Sequence, residues 1–412
     1  MLRSSVVSFV LLLLSSWSCP VRALIRDDNR LIAYMGNWQS CPNDEQLAQY
    51  THLMVGFAIT YQFSPIQNIC SRTCEIETTP ICDNTPQPQV IRRFKEEHGG
   101  KVILSFGGAG MGGSWAGDRN DCWDYCFGRE DYVVDRLVEL VVQLNMDGVD
   151  IDYEYFYQNN PPNRPQWNRG PEAIEFLRKV TIGLYQKLPD GMELTHAPMD
   201  IDMRKGTAYY NLLKEISYTL DFIMPQMYNG VTRAHLDGFT RNGQGDVAAI
   251  DIYQDLIYEV FGGDATRVVF GFCIDDCGLT GSNANRDQAY RVMDELQRHY
   301  PCNGGAFFWA LEDDVRGTWS EEVNKAMDFN RYCTTGPGTD GEIRDISGPT
   351  VSPTRAPVSS PPVYTNTNGF YPTYQSDKKG PDFFDPNNLS AAGAKCYLGA
   401  MLTMAAGMMF WL

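Results

Sequence analysis

Basic charge is scarce in this chain: 34 Lys and Arg stand against 51 Asp and Glu over 412 residues, a formal net charge of −17. Phosphate backbones are bound by clustered Lys and Arg, so nucleic acid is excluded as a partner, and no basic membrane patch is present. Histidine is rarer still, with 5 in all, and none is paired with cysteines at the spacing of a zinc signature. A Gly-rich phosphate turn is also missing. The first candidate strand ends in Met35-Gly36-Asn37-Trp38, which is not the dinucleotide fingerprint of a doubly wound open sheet. Long uncharged apolar runs are confined to the two ends.

Those ends set the expected compartment. Arg3, the apolar run Val6 to Leu14 and then Val21-Arg22-Ala23 read as a secretory signal over residues 1–23, with the mature chain starting near Leu24. An uncleaved anchor helix is the alternative, but the run is short for a bilayer. Residues 389–412 carry the small residues Ser390, Ala391, Ala392 and Gly393, then the uncharged apolar tail Cys396 to Leu412. That order resembles a glycosylphosphatidylinositol anchor signal, with attachment at Asn387, Asn388 or Ser390; a short carboxy-terminal membrane helix is the alternative. The expectation is an extracellular, surface-tethered monomer that meets the membrane only through this anchor.

Between the ends lie two kinds of sequence. Residues 24–335 alternate short apolar runs with helical patterns, enough for one sizeable core, whereas residues 336–388 are rich in Pro, Ser and Thr, as in Ser359-Ser360-Pro361-Pro362, and hold no cysteine. The later segment reads as an extended stalk, with a small carbohydrate-binding module as the alternative for its tyrosines. Setting aside Cys19 and Cys396 leaves Cys41, Cys70, Cys74, Cys82, Cys122, Cys126, Cys273, Cys277, Cys302 and Cys333, an even set that reads as disulfides. Which cysteine joins which stays open, with short local bridges within Cys122/Cys126 and Cys273/Cys277 as plausible cases.

Candidate strands fall at Leu31–Gly36, His52–Thr60, Lys101–Phe106, Gly148–Tyr153, Met192–Ala197, Phe222–Gln226, Val268–Phe272 and Gly305–Trp309. Helical patterns intervene at Asp131–Leu144, Pro171–Leu188, Tyr209–Ile216, Ile252–Phe261 and Arg286–Tyr300. This alternation predicts an α/β fold, a (β/α)8 TIM barrel, whose functional residues gather where the strands end. Some thirty residues separate the seventh strand from the eighth, too few for an inserted α+β domain.

One stretch stands out chemically. In Asp147-Gly148-Val149-Asp150-Ile151-Asp152-Tyr153-Glu154 the two-residue period of a strand puts Asp150, Asp152 and Glu154 on one face and Val149, Ile151 and Tyr153 on the other. Asp147 has the opposite parity and reads as structural. Burying several like charges is costly unless they share protons, collect hydrogen bonds or face a ligand. A solvated edge strand or an oxygen-ligand metal site are the competing readings; the apolar helix running into the strand speaks against the first, and no spaced ligand set completes the second, so no metal or cofactor is called for. Other residues at strand ends are Ser105-Phe106-Gly107-Gly108, Met199 and Asp200, Gln226-Met227-Tyr228-Asn229, and Trp309.

Ser105-x-Gly107-Gly108, the D-x-x-D-x-D-x-E octet, Gln226-x-Tyr228-Asn229 and the terminal Trp309 together resemble family 18 glycoside hydrolases, the chitinase family. Gln and Asn at 226 and 229, where many members carry Met and Asp, are similar to the plant-type class III branch. The resemblance implies retaining, substrate-assisted hydrolysis of β-1,4-N-acetylglucosaminide bonds, in which the substrate's own acetamide oxygen is the nucleophile. It implies that Glu154 is general acid and then base, that Asp152 orients the acetamide, that Asp150 shares a proton beneath it, and that Tyr228 donates to the acetamide oxygen. Trp309 would floor the reacting sugar, with Gln226, Asn229, Met199 and Tyr34 as further substrate contacts and Ser105, Gly107, Gly108 and Asp147 as structural support. Chitin or another N-acetylglucosamine polymer is the implied partner, cut internally in an open groove. A non-catalytic lectin and an endo-β-N-acetylglucosaminidase of N-glycans share the motif and stay open.

Overall fold

The computed structural model describes residues 29–62, 69–83, 88–111, 122–154, 169–228, 230–237, 247–275, 277 and 281–327. The expected signal, stalk and anchor segments lie outside the described residues.

The core is a ring of parallel strands: β1 Arg30–Gly36, β2 His52–Ile59, β3 Lys101–Gly107, β4 Gly148–Asp152, β5 Glu193–His196, β6 Phe222–Ile223, β7 Phe270–Cys273 and β8 Gly305–Trp309. Neighbours pair in chain order from β1 to β6, with β8 beside β1 and β7 beside β8. A parallel bridge between Ile223 and Val268, with Val269 N donating to Ile223 O at 2.9 Å, closes β6 onto the approach to β7. The result is a (β/α)8 TIM barrel. Every residue of β1 and of β4 is buried, as parallel strands covered on both faces must be.

Helices flank the ring because their sequences offer one apolar stripe each. The helix Glu130–Gln143 buries Val133, Val134, Leu137, Leu140 and Val141, a helical spacing that seats it on the strands, and Glu130 and Asp131 complement its amino end. Gly170–Lys187 starts with Pro171 in its first turn and buries Phe176, Leu177, Val180 and Leu184. Arg286–His299 opens with a capping box, Asn285 Oδ1 accepting from Gln288 N at 3.0 Å and Gln288 Oε1 from Asn285 N at 2.9 Å. That helix is the one helical element between β7 and β8 among the described residues, and no α+β domain is inserted there.

Two apolar layers result. The larger lies between strands and helices; the smaller fills the barrel with Ile32, Tyr34, Met54, Ile103, Phe222, Met224 and Phe307. Below it, at the amino ends of the strands, His52 Nε2 lies 3.1 Å from Glu193 Oε2 and Lys101 Nζ 2.6 Å from Glu193 Oε1.

The disulfides correct one expectation. Cys122 is bonded to Cys70 and Cys126 to Cys74, each across 52 residues, while Cys273 and Cys277 do form a local bridge and Cys41 joins Cys82. Cys122 and Cys126 bound a 3-10 turn, where four residues rise about 8 Å along the axis, beyond disulfide reach. The matching spacing of Cys70 and Cys74 lets both run out as rungs, pinning the segment after β2 to the one after β3.

Candidate active site

Strand register builds the site. Ser105 of β3 and Thr195 of β5 lie level with Asp150 of β4, so two hydroxyls flank the carboxylate within one layer of the barrel interior. Ser105 Oγ donates to Asp150 Oδ2 at 2.8 Å, Thr195 Oγ1 to Oδ1 at 2.8 Å, and the Tyr34 hydroxyl reaches Oδ2 at 2.8 Å. Burial pushes the Asp150 carboxyl up, and these three hydroxyls oppose the push.

Exposure rises along the face from Asp150 at 0 % through Asp152 at 3 % to Glu154 at 8 %, so the last acid is the one presented to the cleft. Asp152 is held well above the ordinary carboxylate range, first by burial and then by the charges of Glu154 and Asp150, and its carboxyl hydrogen-bonds Glu154. The side-chain amide of Gln226 ties the same pair together: Nε2 lies 2.9 Å from Asp152 Oδ1, 3.0 Å from Glu154 Oε1 and 3.1 Å from Ala197 O. The Asp152 carboxyl hydrogen-bonds Glu154, while the Asp150 oxygens accept from the three hydroxyls. Coupled acids of this kind titrate as a group.

The two glycines let β3 approach this acid strand. Gly108 N donates to Asp152 O at 2.9 Å, and both glycines have positive φ, 124° and 74°. A Cβ on Gly107 would sit 2.2 Å from Asp152 O and one on Gly108 2.8 Å from the Phe57 ring, so only glycine fits.

Aromatic rings line the opposite side. Trp309, half-buried at the end of β8, stacks on Phe57 with centroids 6.0 Å apart at 21°, and Trp38 and Tyr34 lie 5.2 and 5.8 Å from it. Tyr228 is 7 % exposed and meets the Phe307 ring edge-on at 6.2 Å.

The expected residues therefore separate into groups. Asp150 with Ser105 and Tyr34 forms one hydrogen-bonded set, and Asp152 with Glu154 and Gln226 forms another. The Tyr34 hydroxyl and the Gln226 side-chain nitrogen, both expected to meet substrate, hydrogen-bond these carboxylates. The Met199 side chain is buried at 1 % exposure, and its backbone pairs with that of Gln226. Asp147 stands at the other end of β4, accepting from Val102 N at 2.8 Å and pairing with Lys95 at 2.8 Å. Asn229 lies outside the described residues. Thr195, Phe57 and Trp38 were missed; all three sit on strands or just past them at the same rim, and the parity that picked out Asp150 would also have picked Thr195.

A closed ring of eight parallel strands with its acids collected at their carboxy ends defines a TIM barrel whose ligand face is this rim. A model of the glycosyl hydrolases family 18 matches residues 30–301, and the chain belongs to that family. Among solved structures it is similar to a GH18 chitinase from Pseudoalteromonas aurantia, with TM-score 0.54 and 19% identity over 72% of this chain and 100% of that one. A chitinase from Rhizomucor miehei matches with TM-score 0.51 and 14% identity over 72% and 100% of the two chains. A class V chitinase from Nicotiana tobaccum matches with TM-score 0.50 and 14% identity over 73% and 99%. At these identities the likeness speaks to fold.

Proposed function

We propose that this protein is an endo-acting chitinase that hydrolyses internal β-1,4-N-acetylglucosaminide bonds with retention, by substrate-assisted catalysis. The observation that carries the reading is the hydrogen-bonded pair Asp152–Glu154, bridged by Gln226, with Glu154 the more exposed of the two. Glu154 would protonate the glycosidic oxygen while the acetamide oxygen attacks the anomeric carbon, and would then take a proton from the incoming water. Asp152 would hold the acetamide N–H and offset the positive charge of the oxazolinium. Tyr228 would donate to the acetamide oxygen, and Trp309 with its neighbouring rings would give the sugar an apolar floor. The short β7–β8 connection supports a shallow groove that accepts a chain anywhere along its length.

The test is product analysis of N-acetylglucosamine hexamers with the protein and with Glu154→Gln. Cleavage to β-anomers, lost in the variant, supports the reading. Strict release of disaccharides from chain ends would remove the endo assignment. Hexamer binding without turnover would point to a lectin, and neither binding nor turnover would make N-glycans the next substrate.

A cell-surface tether completes the proposal. It rests on the apolar tail after the small residues at 390–393; among the described residues no helix is long and apolar enough to cross a membrane. Release of activity from intact cells by a phosphatidylinositol-specific phospholipase is the expected result, and activity that stays bound after complete digestion would exclude a lipid anchor.

A further inference from the structure

Asp200 is a buried acid that the mechanism above does not use. It follows β5 at the start of a 3-10 turn, Asp200–Met203, and is 0 % exposed. Its carboxylate faces across to the segment after β6. Oδ1 accepts from Val231 N at 3.0 Å and Oδ2 from Thr232 N at 2.8 Å, and Thr232 Oγ1 stands 2.5 Å from Oδ2 and 2.9 Å from Met227 O. The approach is so close that a Cβ on Gly230 would lie 1.8 Å from Asp200 Oδ1. Burial pushes the Asp200 carboxyl up, while these bonds and the nearby Arg233 pull it back.

The same segment is tied to the β5 extension at its other end. Gln226 N donates to Pro198 O at 2.8 Å, and Gln226 bridges to Met199. The described residues Gln226–Tyr228 are therefore held on one side by the backbone at 198–199 and on the other, through Gly230–Thr232, by the Asp200 carboxylate. Tyr228 and Gln226 are the two groups of this segment that the site uses, one toward the acetamide and one on the Asp152–Glu154 pair.

We propose that Asp200 is a positioning residue: its carboxylate clamps the turn after β6 and so fixes the Tyr228 hydroxyl over the reacting sugar. The inference rests on the chitinase reading and deepens it. A carboxylate accepts on both oxygens, whereas an Asn amide presents N–H to at least one of the donors now facing Asp200, so Asp200→Asn turns an attraction into a clash with little change of volume. A displacement of Tyr228 near 1 Å is of the kind that costs about a hundredfold in rate.

The test is a double-mutant cycle on the full-length protein with N-acetylglucosamine hexamers, built from Asp200→Asn, Tyr228→Phe and the pair, with melting temperatures alongside. Asp200→Asn is expected to lower kcat about a hundredfold with KM changed less than about threefold. In the Tyr228→Phe background the same change should cost less than about threefold, because the group being positioned is already gone. Thr232→Val removes one donor while keeping both backbone bonds, and should show the same non-additivity at about a fivefold loss; it replaces Asp200→Asn if that variant does not fold. Additive losses across the cycle, or a loss tracking only the melting temperature, would overturn the proposal. A wild type inactive on the hexamer would instead overturn the chitinase reading, before any variant is compared, and would take this inference with it.

Discussion

The two ends of the barrel interior solve the same problem in opposite ways. At the amino ends of the strands Glu193 is 6 % exposed but faces His52, whose ring burial pushes toward the neutral form, and the cations Lys101 and Arg30; together they hold its carboxyl well below the ordinary range against the cost of burial. At the carboxy ends Asp150 and Asp152 are as deeply buried and meet hydroxyls, amides and other acids, so burial pushes their carboxyls up with no cation among the described residues to oppose it. A carboxylate compensated by cations stays an anion and braces the fold. One compensated by neutral donors keeps its proton within reach of the working pH, which is the property a general acid needs. The difference lies in which residue faces each acid, not in depth.

The largest expected effects test that contrast directly. Glu154→Gln should lower kcat by about three orders of magnitude or more, yet leave the denaturant midpoint unchanged or raised, since it removes a charge that pushes the neighbouring Asp152 carboxyl up. Glu193→Gln should do the reverse. It leaves Lys101 and His52 facing an amide and should destabilise by about 2–4 kcal/mol in urea unfolding, toward the lower figure because Lys101 at 30 % exposure can turn to water. The pH sign follows from the depressed carboxyl: its contribution is present above about pH 4.3, where Glu ionises in the unfolded chain, and is lost as pH falls toward the folded value. The wild type and Glu193→Gln should therefore converge in stability in strong acid. A Glu154→Gln protein that unfolds more readily, or a Glu193→Gln protein as stable as the wild type near neutral pH, would erase the distinction between the two ends.

Much of this was legible in the sequence because it follows from period and parity. The five helices and eight strands read from apolar spacing are present, with ends shifted by a few residues, and strand parity put Asp150, Asp152 and Glu154 on one face and Asp147 off it. What could not be read was register between strands. Nothing local says that Thr195 stands level with Asp150, that Gln226 reaches two carboxylates at once, or that Phe57 and Trp38 lie against Trp309. The disulfides failed for the same reason: Cys122 and Cys126 are near in sequence, but a 3-10 turn holds them apart and the fold brings Cys70 and Cys74 to them. The partners of Glu193 were likewise invisible, since His52, Lys101 and Glu193 sit on three strands.

A smaller effect is expected beside the site, at Asp202. This acid is 1 % exposed and its carboxyl is pushed up to about 8, by burial and by Asp200, with Arg204 opposing. Unfolded Asp ionises near 3.9, so between about pH 4 and pH 8 the folded state holds a proton that the unfolded state has released. Stability from this group is full below that window and falls as pH rises through it, at up to about 1.4 kcal/mol per unit. Asp202→Asn should flatten that slope, with a variant more stable than the wild type at pH 8 by the amount accumulated at that slope and little different at pH 4. An unaltered slope in chemical denaturation across the window would show that Asp202 is compensated like Glu193 and belongs with the other end of the barrel.

The finest test of the comparison is at Thr195, where a neutral donor does the work that cations do around Glu193. Thr195→Val keeps the shape and removes one of the three hydroxyls on Asp150, about tenfold in kcat/KM for a hydrogen bond to a charged acceptor. The sign on pH is fixed by what the hydroxyl stabilises. It donates to the ionised form, so its loss pushes the Asp150 carboxyl further up, and the acid limb of the kcat/KM profile on chito-oligosaccharides should move to higher pH. Thr195→Ser, which restores the donor in a smaller side chain, should return the limb to its wild-type position even if it costs some stability. A limb that stays in place in Thr195→Val, or moves equally in Thr195→Ser, would mean that the donor count on Asp150 does not govern its proton, and that the upper end of the barrel is tuned by burial alone.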